Sequence, residues 1–164
     1  MLRGNPHCQL IGSVRGIFSI CSGEQAAEEL LARHGGALPD AVVCANDQMA
    51  IGVLRVLTAS GVRVPDEVAV VGFDDLYPAR LVDPQLTTVR QPMRMLGERA
   101  CARLLDRIAY PSIRPAVELL PTELVLRSSC GCPPGTITRR AVKTLKPAPR
   151  RQNGRDCTRS APPP

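Results

Sequence analysis

The chain has 164 residues and is 44% apolar, which allows one domain with a buried core and excludes a wholly disordered protein. No stretch of about 18 apolar residues could span a bilayer, and the first residues lack an apolar run of signal-peptide length. We therefore expect a cytoplasmic protein without a membrane partner. The formal net charge of +6 is unevenly distributed, because 8 of the 21 basic residues but only one acid, Asp156, follow Cys132.

The basic excess lies in residues 133–164, which also hold 7 of the 16 prolines and show no apolar periodicity. Such a segment buries too little surface to offset the entropy cost of ordering, so we predict a disordered, basic, proline-rich tail. Its charge could hold nucleic acid or an acidic partner, but a solvated extension explains the same composition. No aromatic residue follows Pro111, which argues against a stacking platform for single-stranded nucleic acid.

Residues 1–13 carry no regular pattern and are expected to form an irregular segment. An apolar run from Val14 to Ile20 predicts a first strand. Ser22, with Gln25 three residues later, then predicts a capping box that opens a helix, and Gly35 marks the end of that helix.

The alternation of strand and helix patterns continues along the chain. Apolar runs predict further strands at residues 41–45, 68–71, 86–89, 116–119 and 123–127. Apolar residues at helical spacing predict helices over residues 47–60 and 92–108. Because strands that alternate with helices imply right-handed βαβ units, the predicted fold class is α/β, with a parallel sheet sandwiched by helices.

Two of the predicted strands end in polar pairs. Asn46 and Asp47 follow the run AVVCA, and Asp74 and Asp75 follow VAVVGF. Open α/β sheets bind small ligands at the carboxyl ends of adjacent parallel strands, so both pairs are expected to face one crevice. The same residues also have structural alternatives, because Asn and Asp are preferred as helix N-caps and as turn formers.

Four sequence blocks carry a family resemblance: ANDQMAIG, VPDEVAVVGFDD, PQLTTVRQP and LPTELVLR, in this order along the chain. Their order and spacing resemble the effector-binding domain of the LacI/GalR family of bacterial transcription regulators. The resemblance implies a periplasmic-binding-protein-like fold (type I) of two α/β subdomains that close around a sugar, nucleoside or similar metabolite. In that family, closure regulates an amino-terminal helix-turn-helix that reads operator DNA as a dimer. The predicted effector-binding subdomain covers residues 14–132.

The resemblance also implies roles for single residues. Asn46 and Asp74 are implied to hydrogen-bond effector hydroxyls, with Asp47 and Asp75 shaping the rim of the site. This chemistry suits a sugar, because a carboxylate accepts from two adjacent hydroxyls while an asparagine both donates and accepts.

Two larger side chains complete the implied effector site. Phe18 is placed near its mouth. Met93 stands where the family often has a ligand-facing aromatic or other large residue, so stacking on a sugar ring is expected to be weaker in this protein.

The family's helix-turn-helix and first subdomain have no counterpart before Val14, so the resemblance covers roughly the last third of a regulator and the predicted fold is incomplete. Operator DNA is then a partner only through an amino-terminal domain absent from this chain. The predicted helix at 47–60 and the loop at 77–84 lie where the family dimerises, so a homodimer is expected. Two alternatives stay open: a stand-alone solute-binding module, and a fragment that pairs with an intact regulator.

The sequence argues against an enzyme and against cofactors. His7 and His34 are the only histidines, and no Ser or Cys has the setting of a nucleophile elbow. No glycine-rich phosphate-binding motif is present. The pair Cys130 and Cys132 lacks the further ligands that a tetrahedral zinc site needs, so no metal site is predicted.

Overall fold

The computed structural model describes residues 8–34, 38–112, 117–132 and 136–138. Their helices and strands are, in chain order, α1 (Ile20–His34), β1 (Ala41–Val43), α2 (Asp47–Ala59), β2 (Ala69–Val71), β3 (Thr88–Arg90), α3 (Met93–Ala109), β4 (Glu123–Leu126) and β5 (Thr136–Thr138). Two short 3-10 turns, Tyr77–Arg80 and Ser128–Cys130, follow β2 and β4.

The strands of the described residues form two short sheets, β1–β2 and β3–β4–β5, which isolated bridges connect. β1 pairs with β2 in parallel, and isolated parallel bridges from Val71 to Thr87 and from Asp74 to Arg90 join β2 to β3. β4 pairs antiparallel with β3, and β5 pairs antiparallel with β4. The prediction of a parallel sheet is therefore correct for β1 to β3 and wrong for β4. The period of an apolar run identifies a strand, but it does not fix the direction of that strand.

Helix α2 supplies much of the core. Asn46 caps its amino end, and Gly61 follows its carboxyl end with φ of 77°, a left-handed conformation that glycine adopts without strain. The helix contacts both α1 and β2. Its buried apolar side chains are Met49, Ala50, Ile51, Val53, Leu54 and Leu57. The sequence predicted this helix to within one residue at its carboxyl end.

Helix α1 begins earlier than predicted. The strand expected from Val14 to Ile20 does not form, because Phe18 has φ of 61° and α1 starts at Ile20. The capping pair is Ser19 with Ser22, rather than Ser22 with Gln25. The Ser22 amide donates to Ser19 Oγ at 3.2 Å, and the Ser19 amide donates to Ser22 Oγ at 3.3 Å. This reciprocal bonding is a capping box with serine at both positions.

Helix α3 forms over the predicted residues, but its apolar stripe is not buried. None of the 17 residues of α3 is buried. The exposed apolar side chains are Met93, Met95, Leu96, Leu104, Leu105 and Ile108. The amphipathic pattern therefore predicted the helix correctly, while no element of the described chain covers its apolar side chains.

The carboxyl-terminal predictions are partly wrong. Residues 117–119 form no strand, and residue 116 lies outside the described residues. The strand expected at 123–127 is observed as β4, Glu123–Leu126. Within the predicted tail, Thr136–Thr138 form β5 instead of being disordered, and the rest of 133–164 lies outside the described residues. The predicted domain boundaries at 13 and 132 stay predictions.

Candidate functional site

The two polar pairs and the residues after β3 lie at one edge of the sheet. The Asp47 amide donates to the Phe73 carbonyl at 2.8 Å, and the Asp74 amide donates to the Val89 carbonyl at 2.9 Å. These bonds continue the parallel pairing beyond the carboxyl ends of β1 and β2, and the second of them reaches β3. Both polar pairs therefore lie at the same end of the sheet, and a bridge from Asp74 to Arg90 places Asp74 next to the residues that follow β3.

Asn46 has a structural role at this edge. Its Oδ1 accepts from the Met49 amide at 2.9 Å, which is the N-cap bond of α2. Its Nδ2 donates to the Phe18 carbonyl at 3.1 Å and so ties the segment before α1 to the start of α2. The residue is only 9% exposed. The capping alternative is therefore confirmed, and an effector contact of Asn46 stays a prediction.

Asp74 is half-buried and lies in a strained backbone conformation. Its φ is 116°, which side chains other than that of glycine rarely adopt. Gln91 Nε2 donates to Asp74 Oδ1 at 2.6 Å. Gln91 was not predicted as a site residue, although its place directly after β3 and before Pro92 marks the same edge. Gln91 both orients the Asp74 carboxylate and adds an amide to the site.

Asp47 holds the loop behind Asp74. The residue is fully buried. Its Oδ1 accepts from the Thr88 hydroxyl at 2.5 Å and its Oδ2 from the Leu76 amide at 2.7 Å. Burial raises the pKa of Asp47, and nearby Asp74 adds to that increase, while the two hydrogen bonds oppose it. The carboxylate therefore supports the rim from within rather than presenting its oxygens to solvent.

Asp75 forms the centre of an ion-pair cluster. Its side chain is 1% exposed, and it pairs with Arg127, with Arg90 at 2.7 Å and with Arg80 at 3.2 Å. Burial alone would raise the pKa of Asp75, but the hydrogen bonds and charges of Arg127 and Arg90 outweigh it and hold the pKa below its ordinary value. These ion pairs fix the position of Asp75, the residue directly after Asp74.

Arg127 is a second residue of the site that was not predicted from the sequence. Its guanidinium is 6% exposed, and Nη1 donates to the Leu86 carbonyl at 2.7 Å. It joins β4 to β3 and to the loop that carries Asp74. A buried arginine needs a charged partner. The arginine that ends the block LPTELVLR could therefore have indicated a buried ion pair, but the sequence did not identify Asp75 as its partner.

Phe18 and Met93 are both exposed, at 62% and 60%. Phe18 lies beside the site through its carbonyl contact with Asn46, and Met93 begins α3 just after Gln91. The structure thus places all six predicted site residues around one sheet edge. Contact of any of them with an effector stays a prediction.

The edge therefore combines amide and carboxylate groups with two exposed apolar side chains. Such a surface suits an uncharged molecule that has both hydroxyl groups and apolar faces. Among the described residues, no group of three or more His, Cys, Asp or Glu side chains could hold a metal ion. The described helices also include none that is long and apolar enough to cross a membrane.

Residues 14–130 match the model of a protein family described as the periplasmic binding protein-like domain. The chain belongs to this family. The curated relatives that it matches are transcription regulators of the LacI type, the family that the four sequence blocks resemble. The family match and the solved structures confirm the periplasmic-binding-protein-like fold class.

Among the curated relatives, the probable transcriptional repressor ExuR of Bacillus subtilis is 39% identical over 117 residues, which are 71% of this chain and 34% of the relative. The regulator CelR of Thermobifida fusca is 43% identical over 114 residues, which are 70% of this chain and 33% of the relative. The Escherichia coli lactose operon repressor is 38% identical over 125 residues, which are 76% of this chain and 34% of the relative. The chain thus spans about a third of these family members, which are regulators rather than enzymes.

Solved structures of LacI-type regulators share the fold. A complex of the regulator CelR with cellobiose matches with a TM-score of 0.65 at 43% identity, over 70% of this chain and 34% of that one. The dimeric lac repressor bound to operator and to the anti-inducer ONPF matches with a TM-score of 0.66 at 37% identity, over 74% of this chain and 41% of that one. Both matches leave more than half of the solved chain uncovered.

Proposed function

We propose that this chain forms part of the effector site of a LacI-type transcription regulator and that it binds a sugar-like molecule through Asp74, Gln91 and Asn46. The observation that carries the proposal is the hydrogen bond from Gln91 Nε2 to Asp74 Oδ1 at 2.6 Å, at the sheet edge where the pair Asn46 and Asp47 also lies. Binding there would regulate DNA recognition by another part of a regulator, because the described chain includes no helix-turn-helix. We place this activity in the cytoplasm, where operator DNA is read.

The support for Asp74 as the main hydroxyl acceptor is both steric and electrostatic. The carboxylate is half-buried, and Gln91 holds one of its oxygens at 2.6 Å. Behind it, Asp47 and Asp75 are already engaged by internal donors. A hydroxyl that replaces water at Asp74 would therefore meet a carboxylate whose position is already fixed, which lowers the ordering cost of binding.

The first prediction concerns the Asp74→Asn substitution. Cellobiose, lactose and ribose at millimolar concentration serve as probes, and the sugar that raises the melting temperature most is taken further. We expect Asp74→Asn to weaken its affinity by about tenfold or more, because an acceptor of charge-assisted hydrogen bonds is lost. Isothermal titration calorimetry measures the affinity.

Asp66→Asn is the matched control, because Asp66 is exposed and precedes β2, whereas Asp74 follows it. This control should bind the sugar as the unmodified chain does. Equal affinity in the Asp74→Asn variant would refute the role of Asp74. The absence of a thermal shift with all three sugars would count against sugar binding by this chain.

We also propose that the chain forms a homodimer through the surface that α2 and the Tyr77–Arg80 turn share. Ala79 is fully buried against the core and anchors that turn. Tyr77 and Leu81 beside it are exposed at 70% and 66%. Two large apolar side chains on a well-packed turn form the kind of patch that protein interfaces use.

The second prediction is that Leu81→Asp shifts the chain from dimer to monomer, because it places a charge in an apolar contact. Size-exclusion chromatography with light scattering measures the mass. Leu105→Asp on α3 is the matched control, since Leu105 is 62% exposed on a different surface. A dimer that survives Leu81→Asp but dissociates with Leu105→Asp would assign the interface to α3 and contradict this proposal.

A further inference from the structure

The pair Cys130 and Cys132 plays no part in the effector site. These are the only two of the seven cysteines that a single residue separates. Cys130 ends the Ser128–Cys130 turn, and Gly131 between the two cysteines has φ of 79°. This left-handed step folds the chain back, and the Gly131 amide donates to the Ser128 carbonyl at 2.9 Å.

The turn is fixed to the core, so the first thiol has a defined position. Ser129 is fully buried, and its hydroxyl donates to the Val70 carbonyl at 2.6 Å. The Thr87 hydroxyl lies 3.0 Å from Cys130 Sγ. Both cysteines are half-buried rather than enclosed. A small reagent can therefore reach thiols that the fold holds in place.

Cys132 follows Cys130 directly after the left-handed step at Gly131, so both thiols belong to one short turn. Burial would raise the pKa of Cys130, but hydrogen bonds with the Thr87 hydroxyl and the Cys132 thiol lower it overall. The same contact with Cys130 raises the pKa of Cys132. Such opposite shifts are expected when one sulfur carries the proton that the other gives up.

We propose that Cys130 and Cys132 form a dithiol site that binds monosubstituted trivalent arsenicals. Such an arsenic centre needs two thiolate ligands, and this pair supplies two. A tetrahedral zinc ion needs four ligands and is not matched. In the reaction, two As–S bonds form while two S–H bonds and two As–OH bonds break, and two water molecules leave. No atom is oxidised or reduced.

The other described cysteines do not offer this geometry. Cys44 is buried, and burial, together with the nearby Asp47 charge, raises its pKa to about 12, so its thiolate is scarce. Cys8, Cys21 and Cys101 are exposed and far apart in sequence. A single thiol forms one As–S bond, which an excess of a small thiol displaces. Two thiols on one turn close a ring and hold the arsenic against that competition.

The test treats the reduced chain with phenylarsine oxide in an excess of glutathione and measures the intact mass. We expect one phenylarsenic unit per chain, lost in Cys130→Ser and in Cys132→Ser and retained in the control Cys101→Ser. Serine at 130 keeps a hydroxyl for Thr87, and the 132 variant leaves that contact unchanged. Absence of the adduct from the unmodified chain, its survival in either serine variant, or its loss from the control would overturn the proposal.

Discussion

Gly52→Ala should destabilise the fold by at least about 3 kcal/mol, the upper end of what overpacking costs. A Cβ on Gly52 would lie 2.8 Å from the Glu24 nitrogen and closer still to the Ile20 carbonyl oxygen. These are backbone atoms of α1, so no side-chain rotation relieves the clash. The helix propensity of alanine offsets only about 1 kcal/mol of the cost. Urea unfolding followed by circular dichroism measures the change.

The matched control is Gly97→Ala, at the same kind of position in α3. A Cβ on Gly97 meets nothing within 4 Å, so alanine should stabilise the chain by about 0.5–1 kcal/mol. Gly23→Ala should behave like Gly52→Ala, because its Cβ would lie 2.7 Å from Met49 Cα. If Gly52→Ala were as stable as the unmodified chain, the close crossing of α1 and α2 would be wrong.

Arg127→Met should lower the free energy of unfolding by about 3–5 kcal/mol, the usual cost of removing one partner of a buried ion pair. The substitution leaves the Asp75 carboxylate, 1% exposed, without one of its cationic partners, and the Leu86 carbonyl without a donor. Methionine is also a long unbranched side chain, so the decrease in the free energy of unfolding comes more from the lost charge than from lost packing. Arg94→Met is the control, because Arg94 is 92% exposed and its pair with Glu98 contributes little.

The same ion pair predicts a pH dependence. Because the pKa of Asp75 is held below its ordinary value of 3.8, the ionised carboxylate stabilises the folded chain above that pH. The stability is lost as the pH falls through the lowered pKa. In Arg127→Met the pKa of Asp75 rises, so the acid unfolding midpoint should move to higher pH. Circular dichroism across the acid range measures this midpoint. A midpoint that is the same in Arg127→Met as in the unmodified chain would contradict the ion pair between Arg127 and Asp75.

Some parts of the fold were predictable from local sequence. Asn46 and Gly61 mark the two ends of α2, because one caps orphan amides and the other adopts a left-handed turn. The start of α1 was harder to predict, because both Ser19 and Ser22 can cap a helix. The backbone conformation of Phe18, which is left-handed in the structure, decides which of the two serines is the cap. Local signals locate helices well but choose poorly between two adjacent caps.

Long-range pairings could not be predicted. Asp75 finds Arg90 and Arg127, which lie 15 and 52 residues away, and the chain offers 13 arginines before Cys132 from which to choose. The polar pairs after β1 and β2 were placed correctly, because the edge of a parallel sheet is a rule of topology. Which carboxylate points inward depends on the donors that surround it. The resemblance implied a rim role for Asp47 and an effector contact for Asp74, but only the structure shows that Asp47 is fully buried while Asp74 is half-buried.

Nuclear magnetic resonance titration of the ¹⁵N-labelled chain with cellobiose and with ribose locates an effector site residue by residue. We expect the largest shifts on the side-chain amides of Asn46 and Gln91 and on the backbone amide of Asp74. The side-chain amide of Gln48, exposed on α2, should stay unchanged. Shifts confined to the opposite edge of the sheet, around Gly61 and Asp66, would contradict an effector site at the carboxyl ends of β1 to β3.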